Sequence, residues 1–183
     1  MREGAEVLES DGHGEKVLRL ADGSYLKLFR RKRLLSSAAW YPYAQRFADN
    51  ALALSHLGIR VPEVIAVMRV ASIGRDAVHY RPLAGVSLRA LARGGLADAA
   101  KTMLKEEFNA FVVSLHDKGI YFRSLHLGNV ILAPDGRMGL IDFSDLRIYR
   151  KPLGRWMRLR NIRRLQRMAD ESDWLDDRWL AKR

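Results

Sequence analysis

The apolar pattern of this chain changes period near Pro82-Leu83-Ala84-Gly85. Before that point hydrophobic residues alternate as they do in half-buried strands, and after it they recur every three or four positions as on helices. A chain patterned in this way is confined to an α+β fold, with strands gathered in its first part and helices in its second. The spacing predicts short strands at Glu6-Val7-Leu8, Lys16 to Leu20 and Tyr25 to Phe29. The loop Ser10 to Glu15 separates the first two, and Asp22-Gly23 supplies a tight hairpin turn before the third. Lys27 falls on the strand face opposite Leu26 and Leu28. Ser36 to Leu57 reads as a helix with Phe47, Ala51 and Leu54 on one stripe and Gly58 as its stop. Strands at Val64 to Val70 and Ala77 to Tyr80 complete an antiparallel sheet of about five.

Beyond Pro82-Leu83-Ala84-Gly85, a short helix begins at Leu88 to Leu91. A long one spans Ala97 to Lys118, with Leu104, Phe108, Phe111 and Leu115 inward and Gly119 ending it. Val130-Ile131-Leu132 and Arg137 to Ile141 form a hairpin about the turn Ala133-Pro134-Asp135-Gly136. Gly154 to Met168 and Asp173 to Leu180 read as helical. The expected division is 1-84, a five-stranded sheet plus helix, and 85-183, a helical part carrying the hairpin, together one domain.

The formal charge of +11 draws the chain toward polyanions. The excess is concentrated: Leu146 to Met168 holds nine basic residues and no acidic one, and Arg30-Arg31-Lys32-Arg33 is a shorter run. Trp156, Leu159, Ile162 and Leu165 suggest one helix with a buried apolar stripe and an arginine-rich outer face. That face is either a solvated surface or a contact for anionic lipid or glycolipid. Nucleic acid is the lesser option, because no recognised nucleic-acid module accompanies the charge. The absence of cysteine excludes disulfides and cysteine-ligated zinc, no apolar run reaches the ~20 residues of a membrane span, and Met1-Arg2-Glu3-Gly4 does not open a signal peptide. These features lead us to expect a cytoplasmic protein.

Leu115 to Leu146 carries the chemistry. Phe122-Arg123-Ser124-Leu125-His126-Leu127-Gly128-Asn129 precedes the hairpin, and Asp142-Phe143-Ser144 follows it. A carboxylate and an amide oxygen on loops flanking one hairpin can hold a metal against phosphate groups, as phosphoryl transfer requires. The plainer alternative is that Asn129 caps the hairpin and Asp142 ends a strand. The stretch resembles the catalytic core of protein kinases and of small-molecule kinases of that fold, where H-x-D-L-x-x-x-N precedes a hairpin and D-F-G follows it. The resemblance implies a two-lobed kinase-like fold with a reduced helical second lobe. It also implies magnesium at Asn129 and Asp142 and ATP phosphates at Lys27, with Gly12-His13-Gly14 as a flap over them. A solvated lysine and an ordinary turn are the alternatives for the last two.

Two departures bear on activity. The position of the loop aspartate, the general base of the fold, is occupied by Ser124. His126, two residues on, either substitutes as base or only positions the loop. Between Leu34 and Leu57 the single acid is Asp49, with Gln45 and Asn50 nearby, in place of the glutamate that pairs with the strand lysine.

Within this fold the chain is most similar to the lipopolysaccharide core kinases and toluene tolerance proteins of Gram-negative bacteria. The signs are His56-Leu57-Gly58-Ile59-Arg60-Val61-Pro62, Pro82-Leu83-Ala84-Gly85-Val86-Ser87-Leu88, and Ile141 to Arg147 leading into Arg158 to Leu165. The resemblance covers roughly residues 10 to 168. It implies Mg·ATP as donor, core heptose as acceptor, and work at the inner face of the inner membrane, in sugar phosphorylation or envelope stress tolerance. The substitution at Ser124 opens a second reading, a pseudokinase acting as a binding or regulatory module.

Overall fold

The computed structural model describes residues 4–12, 14–30, 41–166 and 169–175. His13, most of the Arg30 to Arg33 run, the Ser36 to Trp40 part of the expected first helix, Arg167, Met168 and residues 176–180 lie outside the described residues. The fold is α+β. It divides into two compact units, Met1–Leu83 and Ala84–Arg183.

The first unit is built on an antiparallel sheet of order β1-β2-β3-β5-β4. Its strands are β1 (Glu6–Asp11), β2 (Gly14–Arg19), β3 (Tyr25–Arg30), β4 (Glu63–Val70) and β5 (Arg75–Arg81). Asp22 fixes the β2–β3 turn by accepting from the backbone N–H of Ser24 at 2.9 Å and from its hydroxyl at 2.5 Å. Alternation along β3 then sorts its side chains. Leu26 and Leu28 join Leu18 and Ala77 in a buried cluster. Tyr25, Lys27 and Phe29 share the other face, where helix α1 (Tyr43–His56) packs. Phe47 of α1 is buried against Tyr80 and Phe29, with ring centroids 5.4 and 6.3 Å away. The stripe Phe47, Ala51 and Leu54 is buried as its spacing predicts, and Gly58 follows the helix with φ +75°.

The second unit contains α2 (Leu88–Arg93), α3 (Asp98–Asp117) and α4 (Arg155–Gln166). A three-stranded sheet joins β6 (Val86–Ser87), β8 (Val130–Leu132) and β9 (Met138–Leu140), and a two-stranded one pairs β7 (Ile120–Tyr121) with β10 (Arg147–Ile148). Leu104, Phe108, Val112 and Leu115 form the buried stripe of α3, so Val112 takes the place expected for Phe111, which is half-buried. Gly119, at φ +75°, lets the chain turn from α3 into β7. A Cβ there would lie 2.3 Å from the Tyr149 carbonyl oxygen.

One expectation for the end of the chain is corrected, and a second is described only at its start. Trp156 does not belong to a buried stripe: it is 68% exposed, while Ile162 and Leu165 are buried. A helix advances about 100° per residue, so strict spacing of three drifts off the face and sets position 156 about 180° from position 165. The inward face of α4 is instead Arg158, Asn161, Ile162 and Leu165, at spacings of three and four. The expected helix from Asp173 is, within the described residues, the end of a 3-10 turn, Ala169–Trp174. No helix among the described residues is long and apolar enough to cross a membrane.

Candidate functional site

The site residues of the second unit are assembled around the β8–β9 hairpin. Phe122, Leu125 and Leu127 are buried and anchor the loop before it, so that the intervening polar residues are presented at fixed positions. A 3-10 turn at Leu127–Asn129 closes with the Asn129 N–H donating to the His126 carbonyl at 2.9 Å. Across the hairpin, the Ile141 N–H donates to the Asn129 carbonyl at 3.0 Å. That bond sets Asn129 beside the residue immediately before Asp142.

Asn129 is buried, and its Nδ2 donates to the Ser124 carbonyl at 2.9 Å. The amide is thereby turned so that Oδ1, its only acceptor, is the atom left for a cation. Asp142 is exposed and has φ 53°, the one positive value among the described non-glycine residues. This left-handed backbone costs roughly 1–2 kcal/mol and is tolerated best by Asp and Asn. It follows an apolar strand and precedes the fully buried Phe143, so packing on both sides holds the backbone at Asp142 in place. One amide oxygen and one carboxylate fit part of magnesium's octahedral shell, with water and phosphate oxygens completing it. Among the described residues no group of three or more histidines and carboxylates is gathered around a common point.

Ser124 is not isolated. Its Oγ donates to Asp145 Oδ2 at 2.6 Å, while Asp145 Oδ1 is buried without a hydrogen-bond partner. Asp145 reaches this position because the Leu146 N–H bonds back to the Phe143 carbonyl at 3.1 Å, making a turn after the Asp142 strand. A hydroxyl held against a carboxylate is polarised and can hand its proton on.

His126 lies in the same loop. Burial pushes its pKa down, Arg89 adds to that, and Glu171 and Asp142 act the other way. Its Nδ1 is buried without a partner. The loop is tied down by Glu171, 3% exposed, which accepts from Arg89 Nε at 2.6 Å and from the Leu127 N–H at 2.9 Å. A Cβ at Gly128 would come within 2.8 Å of the Arg89 guanidinium, so a larger residue there would displace that side chain.

The remaining predicted residues belong to the first unit. Lys27 pairs in register with Val17 and Val78, and its Nζ lies 5.7 and 6.0 Å from the ring centroids of Phe29 and Phe47. Asp49 accepts from the Tyr41 hydroxyl at 2.5 Å and from Gln45 Nε2 at 2.9 Å, so its carboxylate is engaged along its own helix and just before it. Gly12 is exposed in the β1–β2 turn with open space about it, and Gly14 begins β2 at φ +106°.

Sequence reasoning brought Ser124, His126, Asn129 and Asp142 to one loop–hairpin unit but missed Asp145, Arg89 and Glu171. Asp145 had a signal: it follows Asp142 by three residues and is the next acid in the chain. Arg89 and Glu171 are 82 positions apart, and no local pattern links them. Compared with known proteins, the chain matches no protein-family model, and no curated protein matches it.

Proposed function

We propose that the chain is a kinase-like phosphotransferase that moves a phosphate from Mg·ATP to a hydroxyl acceptor, of the kind that phosphorylates lipopolysaccharide core sugars. The observation that supports the reading is the backbone hydrogen bond from Ile141 to Asn129, which pairs Asn129 across the hairpin with the residue preceding Asp142, whose backbone is left-handed. Bound magnesium would neutralise charge on the transferring phosphate. Asn129 and Asp142 would hold it, and Lys27, in the first unit, is the residue that the resemblance gives to the nucleotide phosphates, with Gly12 and Gly14 as the flap it implies.

Asp145 supplies the carboxylate that Ser124 lacks. As the acceptor oxygen bonds to phosphorus and the bond to ADP breaks, the acceptor proton passes to Ser124 Oγ and the serine proton to Asp145 Oδ2. Burial lowers the basicity of His126, and its place in the loop suits it to positioning. The test is transfer of label from γ-labelled ATP to dephosphorylated lipopolysaccharide core precursors. Transfer that Asp142→Asn abolishes supports the reading, and no transfer by the wild type removes it. In that event the pseudokinase alternative stands, favoured by the commitment of the Ser124 hydroxyl within the protein.

A further inference from the structure

Helix α4 turns one face inward and leaves the other with an unusual composition. Arg158 is held by Asp117 at 2.8 Å and by the Leu153 carbonyl at 2.7 Å. Asn161 is buried, donating to the Phe122 carbonyl at 2.7 Å and facing His116 Nε2 at 3.1 Å. With that face fixed, Trp156, Arg160, Arg163 and Arg164 are left exposed. Together with Leu159 and Tyr121 they line a hollow of about 420 Å³. None of Ser124, His126, Asn129 and Asp142 lines it.

Three properties of the hollow bear on a ligand. It contains three guanidinium groups and no acid, and among the described residues none of the three is paired with a carboxylate. The Arg160 guanidinium lies 5.2 Å above the Trp156 ring, which orders the side chain while leaving its N–H edge to face an anion. Trp156 and Tyr121 add aromatic surface beside the charge, at a size within the usual range of small-molecule sites.

We propose that this hollow binds a phosphorylated sugar ring, with phosphate on Arg160, Arg163 and Arg164 and the C–H face of the ring against Trp156. Arginine forks match phosphate oxygens in pairs, which surface lysines would not do. A flat anionic bilayer would need no concavity, and a nucleic-acid strand would call for a longer track of stacking rings. The inference does not depend on the phosphotransferase reading, because the two sets of residues are separate.

The test is titration of the full chain, without ATP or magnesium, followed by calorimetry. Glucose bisphosphate should bind about tenfold or more tightly than inorganic phosphate, since only the sugar reaches Trp156. Arg160→Gln/Arg163→Gln should weaken it about tenfold or more, the loss of at least one charge-assisted contact. Trp156→Ala should weaken glucose bisphosphate and leave inorganic phosphate unchanged, with the melting temperature of all variants retained. Vesicles carrying phosphatidylinositol phosphate distinguish a lipid-borne ring from a free one, and binding to either source upholds the proposal. Three results would overturn it: equal affinity for inorganic phosphate, equal binding to phosphatidylglycerol vesicles of matched charge, or preference for oligouridylate over the sugar.

Discussion

Ser124 Oγ and Asp145 Oδ2 lie 2.6 Å apart, joining the loop before the hairpin to the turn after it through one hydrogen bond. A carboxylate contributed by a residue 21 positions later therefore stands against the Ser124 hydroxyl.

If Asp145 receives the proton, Asp145→Asn lowers the rate of phosphate transfer on the order of 10²–10⁴-fold, the usual worth of a general base. Ser124→Asp alone brings no gain, because it sets two carboxylates in contact. The exchange Ser124→Asp with Asp145→Ser restores transfer. Steady-state kinetics decide the matter, and full activity in Asp145→Asn would exclude the role.

Glu171 differs from the surface carboxylates in how much depends on it. It is buried and serves both Arg89 and the Leu127 N–H. Arg89 is partly exposed, which reduces the cost of losing its partner. Urea unfolding should show Glu171→Gln destabilised by about 1–3 kcal/mol. Asp173→Asn, which breaks the exposed pair with Lys105, should cost no more than about 1 kcal/mol.

His116 gives the protein an acid-sensitive region. Burial lowers its pKa to about 4, below the ordinary value of 6.5. The unfolded chain therefore binds more protons between those values, so stability is complete above about 6.5 and declines as pH falls toward 4. The loss is on the order of 3 kcal/mol. His116→Gln should flatten the stability profile across that window relative to wild type, and an unchanged slope would contradict the assignment.

The two ends of the expected α4 stripe should respond oppositely to truncation. Leu165→Ala removes a fully buried side chain and costs about 2–5 kcal/mol. Trp156→Ala removes an exposed one and should stay within about 0.5 kcal/mol of wild type. Thermal unfolding of the pair checks the corrected helix face.

How far the fold was legible follows from which signals are local. Leu26, Lys27 and Leu28 alternate across one sheet, and Asp22-Gly23 is the turn that its sequence specifies, so the five strands could be read directly. The expected loop Ser10 to Glu15 was too long, since Ser10 pairs with Glu15 and Asp11 with Gly14 in the β1–β2 ladder. The Asn129 and Asp142 positions were legible for the same reason, each being fixed by a short hairpin. The error in α4 came from counting threes where the helix needs threes and fours, as Arg158, Asn161, Ile162 and Leu165 show. Asn161 and Arg158 were passed over as polar, although their partners His116, Phe122 and Asp117 hold them inward. Glu171 could not have been found locally, since its partners are supplied by α2 and by the loop before the hairpin.

The central claim, that Asn129 and Asp142 hold a metal-bound nucleotide, is tested most directly by melting the protein with and without saturating Mg·ATP. Ligand at ~100 times its dissociation constant adds about 2.7 kcal/mol, a rise of roughly 5–10 °C for a chain of this size. The account predicts a rise of that order that requires magnesium and disappears in Asp142→Asn. An unchanged melting temperature, or a rise that survives that substitution, would contradict it.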